Sequence, residues 1–188
     1  MGRLRPDLYQ NPILFLDDDA VVVERRRPGS KPLVDDLKFG TVTLGVEVLS
    51  EPLEIVYSKR AVEFLNVVAD ALFRVRWLTG LGEWVPEVFA PAVGLNQFAS
   101  VPAHECERTA DLHPSRTGQW FKEQLVDVTI AGSATQFVWV DDQLTSGTIS
   151  RLASRFTASQ HLAVPLDPSG PLTEVQFVKI AEFCGVSI

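Results

Sequence analysis

Asp17 and Asp19 stand two residues apart, directly after the apolar run Ile13-Leu14-Phe15-Leu16. Asp141 and Asp142 directly follow a second apolar run, Phe137-Val138-Trp139-Val140. Paired carboxylates can attack an electrophilic centre, pass protons, or hold a hard cation through oxygen. Clustered at one point they repel one another, and a magnesium ion is the natural counter-charge. An unbroken apolar run is the signature of a parallel strand buried on both faces. In open α/β sheets, ligands bind just beyond the carboxyl ends of such strands. Two of these strands set side by side would bring their acids together at the ligand-binding edge.

Two further groups fall between the acidic pairs. Thr79-Gly80 closes a strand over Arg74 to Leu78, where a hydroxyl and an unhindered backbone N–H can meet an oxyanion. Lys122 lies on a helix over Gln119 to Val126 and can place a cation on developing negative charge. Lys38 and Lys59 are other lysines, but Lys122 alone of the three lies between Thr79 and Asp141 in chain order.

The elements that must position these groups follow from periodicity and punctuation. Ala20 to Val23 reads as a short turn and strand, and Glu24 to Asp36, with Pro28, Gly29 and Pro32, reads as loop. Val42, Leu44, Val46 and Val48 alternate with Thr43, Gly45 and Glu47 as a half-buried strand. That strand can pair with Glu54 to Tyr57 as a hairpin. Ser58 is placed to cap a helix over Lys59 to Phe73, whose apolar face is Val62, Leu65, Val68 and Leu72. Pro86 suits the first turn of a short helix reaching Val93. Residues 96–118 are irregular and polar. Thr148 to Phe156 reads as helix, Leu162 to Val164 as strand, and Thr173 with Gln176 as the capping box of a last helix to Phe183. Strands alternating with helices imply a three-layer α/β domain around a parallel sheet. A loop and β-hairpin insert is expected over residues 20–58.

At 188 residues, with 46% hydrophobic and 22% charged residues, the chain suits a single domain, 1–188. Its net charge of −7 speaks against a broad basic surface tracking nucleic acid. Cys106 and Cys184 lie far apart, so no disulfide framework is expected. No apolar stretch approaches membrane-spanning length and no signal core precedes Pro6, so the expectation is a soluble, cytoplasmic protein without a membrane partner.

The ordered series Asp17-x-Asp19, Thr79, Lys122 and Asp141-Asp142 resembles the motif series of the haloacid dehalogenase-like (HAD-like) hydrolase superfamily. A narrower resemblance rests on Trp77-Leu78-Thr79-Gly80-Leu81-Gly82, Trp120-Phe121-Lys122-Glu123, His161-Leu162-Ala163-Val164-Pro165 and Gly170-Pro171-Leu172-Thr173. These segments are similar to the small HAD-like domains grouped with RNA-repair ("Swiss Army Knife") proteins of actinobacteria and phages. The resemblance implies a Rossmann-like HAD fold with a small insert in place of a large cap. It also implies a magnesium-dependent phosphatase that works through an aspartyl-phosphate on a phosphorylated small molecule, a nucleotide or a nucleic-acid end.

By the same resemblance Asp17 is the nucleophile and Asp19 the general acid/base. Thr79, Gly80, Lys122 and the Asp18 backbone hold the phosphate, with the Asp18 side chain directed away. Mg2+ is held by Asp17, the Asp19 main-chain carbonyl and Asp141, with Asp142 as a ligand or a neighbour of one. The family places glycine after the second acid, and here that residue is Ala20. Alanine fits if the turn has negative φ and alters the site otherwise. Alternative readings are a weak or inactive HAD-like binding or regulatory module, and a phosphotransferase.

His104-Glu105-Cys106 and His113 match no closed zinc-site spacing and read as a loop near the site. Trp84 and Trp120 read as core or pocket wall. Arg25-Arg26-Arg27 reads as a solvated face, or as insert charge that gathers an anionic substrate.

Overall fold

The computed structural model describes residues 11–28, 38–45, 52–72, 74–79, 81, 83–101, 121–131, 135–167 and 170–188. Strand β1 (Ile13–Leu16) runs through Asp17 into a 3-10 turn, Asp18–Ala20. Strands β2 (Val22–Arg26), β3 (Phe39–Leu44) and β4 (Leu53–Ser58) follow. Next come α1 (Lys59–Leu72), β5 (Val75–Trp77), a π-helical turn (Val85–Phe89) that continues into α2 (Ala90–Val93), and β6 (Ala99–Ser100). The rest is α3 (Phe121–Ile130), β7 (Phe137–Asp141), α4 (Ser146–Arg155), β8 (His161–Pro165) and α5 (Glu174–Cys184).

Five strands form one sheet in the order β6-β5-β1-β7-β8, and every neighbouring pair is parallel. The alternation of side chains along its strands divides the core in two. Leu14, Leu16, Val138 and Val140 pack with Leu65 and Val68 of α1, Ala90 of α2 and Phe177 and Ile180 of α5. Ile13, Phe15, Phe137 and Trp139 pack with Leu125 and Val126 of α3 and Leu152 of α4. Helices thus cover both faces, which is why β1 and β7 are buried at every position. The chain runs outward from β1 through β5 to β6, then crosses back to β7 and β8. That reversal makes the β1–β7 boundary the topological switch point of the sheet.

The described residues between β1 and α1 form a three-stranded antiparallel sheet, ordered β2-β4-β3, in which β2 joins the expected hairpin; Val46 and Val48 lie outside the described residues. Glu24 to Arg26 were expected in loop and belong to β2. The proline- and glycine-rich stretch that suggested loop lies further on, and Arg26 is held in the strand by ion pairs to Glu24 and Glu54. Gly40 faces Tyr57 across β3 and β4, and a Cβ there would overlap the tyrosine ring.

Ser58 caps α1 as expected, its Oγ accepting from Ala61 N–H at 3.1 Å. Gln176 likewise reaches back to accept from Thr173 N–H at 2.8 Å. The helix after Trp84 opens as a π-turn in which Ala90 N–H bonds the Val85 carbonyl five residues back, and the next residue, Pro91, has no N–H to offer the Glu87 carbonyl. Within the stretch expected to be irregular, Ala99 and Ser100 add a short edge strand to β5. No described helix is long and apolar enough to cross a membrane.

Phe137 is fully buried and meets Phe15 and Phe156 edge-on, with centroids 6.2 and 5.2 Å away. Phe137→Ala is expected to cost about 3–5 kcal/mol, measured by urea denaturation. A loss below about 1 kcal/mol would contradict the packing described for this face.

Candidate metal and phosphate site

Strand register brings the first two acids together. Leu16 pairs with Val140 in the parallel ladder, and Asp17 N–H donates to the Val140 carbonyl at 3.0 Å. The next residue of each strand is an aspartate, and both continue the odd-numbered face that packs on α3. Asp17 and Asp141 are therefore neighbours at the switch point, both buried. Lys122 lies three and four residues before Leu125 and Val126, so it shares the helix face that packs on the sheet. Its Nζ is 2.9 Å from Asp17 Oδ2 and 2.8 Å from Asp141 Oδ2. The next residue, Glu123, is 1% exposed and holds Arg151 of α4 through two hydrogen bonds of 3.1 and 2.9 Å. That bidentate clasp fixes the lysine's helix against its neighbour.

Each carboxylate has a distinct set of partners. Asp141 Oδ1 accepts from Gln143 N–H at 2.8 Å, and Oδ2 accepts from Lys122 and from the Trp139 indole at 3.3 Å. Asp17 Oδ1 accepts from Asp18 N–H at 3.1 Å. Asp142 Oδ1 is buried and has no hydrogen-bond partner among the described residues. One ligand oxygen from each of Asp17, Asp141 and Asp142 lies within 4.8 Å of the other two.

The electrostatics follow from this crowding. Burial raises the Asp17 carboxyl to about 8; Lys122 opposes the rise, and Asp141 and Asp18 add to it. Asp141 is raised by burial against the pull of Lys122. Asp142 is raised by burial and by repulsion from Asp19. Burial works against the Lys122 ammonium, but Asp17 and Asp141 outweigh it and hold its pKa above the usual lysine value. Among the described residues five carboxylates, Asp17, Asp18, Asp19, Asp141 and Asp142, meet two cations here, Lys122 and Arg25. Oxygen-only donors, surplus negative charge and an orphaned buried oxygen on Asp142 fit a hard divalent cation.

The acid turn differs from expectation at Asp18. Its side chain does not point away: it is 5% exposed, accepts from the Thr79 hydroxyl at 2.8 Å, and pairs with Arg25. The cause is the 3-10 turn, which swings residue 18 toward the end of β5 and toward β2. Arg25 also pairs with Asp19, and the two acids raise its pKa against burial. Of the arginine triplet, then, Arg25 faces the site, Arg26 is bound within the insert sheet, and Arg27 is exposed. Ala20 lies inside the 3-10 turn, a conformation of negative φ that alanine adopts without strain.

Asp17, Asp141, Asp142 and Lys122 are thus brought together, Thr79 and Asp18 join them through one hydrogen bond, and Asp19 stands at the edge beside Arg25. Gly80, His104, Glu105, Cys106, His113 and Trp120 lie outside the described residues. Sequence reasoning missed the Trp139 indole, although its position two residues before Asp141 puts both on one strand face. It also missed the Glu123–Arg151 clasp, for which only the buried helix face gave a signal. No protein-family model, curated protein or solved structure matches this chain.

The raised carboxyls make stability depend on pH in a definite direction. A carboxyl at about 8 in the fold and near 3.8 in the unfolded chain keeps its full contribution below about pH 4 and loses it as pH rises toward 8. Asp141 and Asp142 act in the same sense. Chelator-treated protein should therefore melt at lower temperature at pH 8.5 than at pH 5.5. Mg2+ at about 100 times its Kd should restore about 5–10 °C at pH 8.5 and less at pH 5.5. Asp142→Asn should weaken that response. A melting temperature indifferent to Mg2+ at both pH values would remove the case for a cation site.

Proposed function

We propose that the chain is a magnesium-dependent phosphomonoesterase that works through an aspartyl-phosphate on Asp17. The observation carrying this reading is the buried array in which Lys122 bridges Asp17 and Asp141 at the switch point of a parallel sheet. The order of the acidic, hydroxyl and lysine motifs, which resembles that of HAD-like hydrolases, supports it as well. Asp17, Asp141 and Asp142 would hold Mg2+, with the Asp19 main-chain carbonyl as a further ligand from the resemblance. When bound, the ion supplies positive charge that ionises Asp17 and offsets its repulsion toward a phosphate.

The chain's own residues then divide the work. An Asp17 carboxylate oxygen attacks phosphorus, a P–O bond forms, and the bond to the leaving oxygen breaks. Asp19 gives its proton to that oxygen. It then takes a proton from water as the water attacks the phosphorus of the aspartyl-phosphate, releasing inorganic phosphate and restoring Asp17. Lys122 stabilises charge that develops on the transferring group and keeps Asp17 oriented. Thr79 contributes its hydroxyl once phosphate replaces Asp18 as the acceptor. Arg25, attached to the insert, holds Asp19 at the rim of the site.

Hydrolysis of p-nitrophenyl phosphate with Mg2+ tests the reading. Asp17→Asn should reduce turnover to background, Lys122→Met should lower kcat by about 10²–10³, and Asp19→Asn by about 10²–10⁴. Mass spectrometry of the quenched wild type should find phosphate on Asp17. Undiminished turnover by Asp17→Asn, or no turnover by the wild type on any of a panel of phosphomonoesters, would overturn it.

A further inference from the structure

Two cavities border the carboxyl edge of the sheet and share a wall. The smaller, about 150 Å³, is lined by Asp19, Val22, Glu24 and Arg25. The larger, about 660 Å³, opens between the insert and the segment joining β8 to α5. Asp167 and Gly170 line both. The joining segment is tied to the acid turn, since Leu172 N–H donates to the Ala20 carbonyl at 3.0 Å. The space beside Asp19 and the larger cavity therefore adjoin at Asp167 and Gly170.

The larger cavity is mostly apolar, walled by Phe39, Pro171, Leu172 and Phe177. Among the described residues two cations line it, Lys38 and Arg60, against two acids, Asp167 and Glu174. Arg60 is 3.0 Å from Glu174 and lies over the Phe177 ring, 5.8 Å from the centroid. The described lining therefore carries no net positive charge to draw a second phosphate. The hydroxyls in the lining, Ser58 and Thr173, are engaged at helix caps and Glu174 holds Arg60, so a polyol placed there would give up hydrogen bonds to water and gain few in return. A flat apolar group would lose nothing of that kind and would bury its surface. The volume is that of a drug-sized ligand site.

On the phosphomonoesterase reading above, we propose that the substrate's leaving group carries an aromatic ring system, which passes Asp19 and Arg25 and lodges in this cavity. The class of substrate is a phosphomonoester of a ring-bearing alcohol, not of a small polyol. The phosphate end is held at Asp17 and Lys122, and the ring supplies affinity.

The test compares 2-(naphthyl)ethyl phosphate with 2-hydroxyethyl phosphate in Mg2+, two alkyl esters whose leaving groups differ little in chemistry. Wild type should prefer the naphthyl ester by at least about 10-fold in kcat/KM, mainly through KM. Phe39→Ala removes part of one wall of the larger cavity at a residue that does not line the space beside Asp19. It should reduce the preference to about 3-fold or less and leave hydrolysis of the hydroxyethyl ester unchanged. Phe39→Asp, which puts a charge on the same wall, should abolish the preference with the same hydroxyethyl control. Equal kcat/KM for the two esters in wild type, or a preference untouched by both variants, overturns the cavity assignment and leaves the phosphatase reading standing. No hydrolysis of either ester overturns the reading on which it rests.

Discussion

Carboxylates buried together at the tips of adjacent strands need a cation or a retained proton among them. That constraint organises the site. Lys122 attracts both Asp17 and Asp141, where β1 and β7 end side by side. Removing water from two like charges at hydrogen-bonding distance from one ammonium is costly, and the pair of short contacts to Lys122 must offset it. The compensation is partial. Asp17 remains far from its ordinary pKa, and Asp142 keeps an oxygen without a partner. A site relaxed for stability alone would not leave both in place; buried polar groups that stay unsatisfied are a usual mark of function.

The sheet supplies the geometry that this electrostatics needs. Because β1 and β7 are direct neighbours, two distant stretches of chain deliver their acids to one point. Because the alternation of side chains is strict, both acids emerge on the face that carries α3. The helix needs only one polar residue at the end of its apolar face, and that residue is Lys122. The Glu123–Arg151 clasp behind it removes the freedom of α3 to turn away.

These features differ in how far the sequence revealed them. Strand-end acids were legible because a doubly buried strand has no polar positions to hide them among. Lys122 was legible from order and from the apolar residues three and four places on. Arg25 was not, since three consecutive arginines beside a proline-rich stretch look the same whether they face solvent or an acid turn. The side chain of Asp18 was misplaced for a related reason: its direction depends on a 3-10 turn that three consecutive aspartates do not announce. The third strand of the insert was legible only at its start, where Ala20 to Val23 read as turn and strand; Glu24 to Arg26 are charged, and their place depends on pairing with β4 rather than on burial.

Arg25 and Lys122 occupy opposite roles in the same electrostatic field. Lys122 is 3% exposed and anchored on the core, so its charge is permanent in the site. The Arg25 side chain is 37% exposed and stands on a separate small sheet, so its hold on Asp18 and Asp19 is screened by solvent and can be exchanged for another anion. Thr79 is in the same position as Arg25, since its hydroxyl rests on Asp18. On the phosphomonoesterase proposal, an arriving phosphate would offer both of them a stronger acceptor than a carboxylate already shared between two donors. Binding would then free the Asp18 carboxylate, adding negative charge when the phosphate brings more. A divalent ion held by Asp17, Asp141 and Asp142 would offset that charge, so on this proposal substrate and metal affinity should rise together.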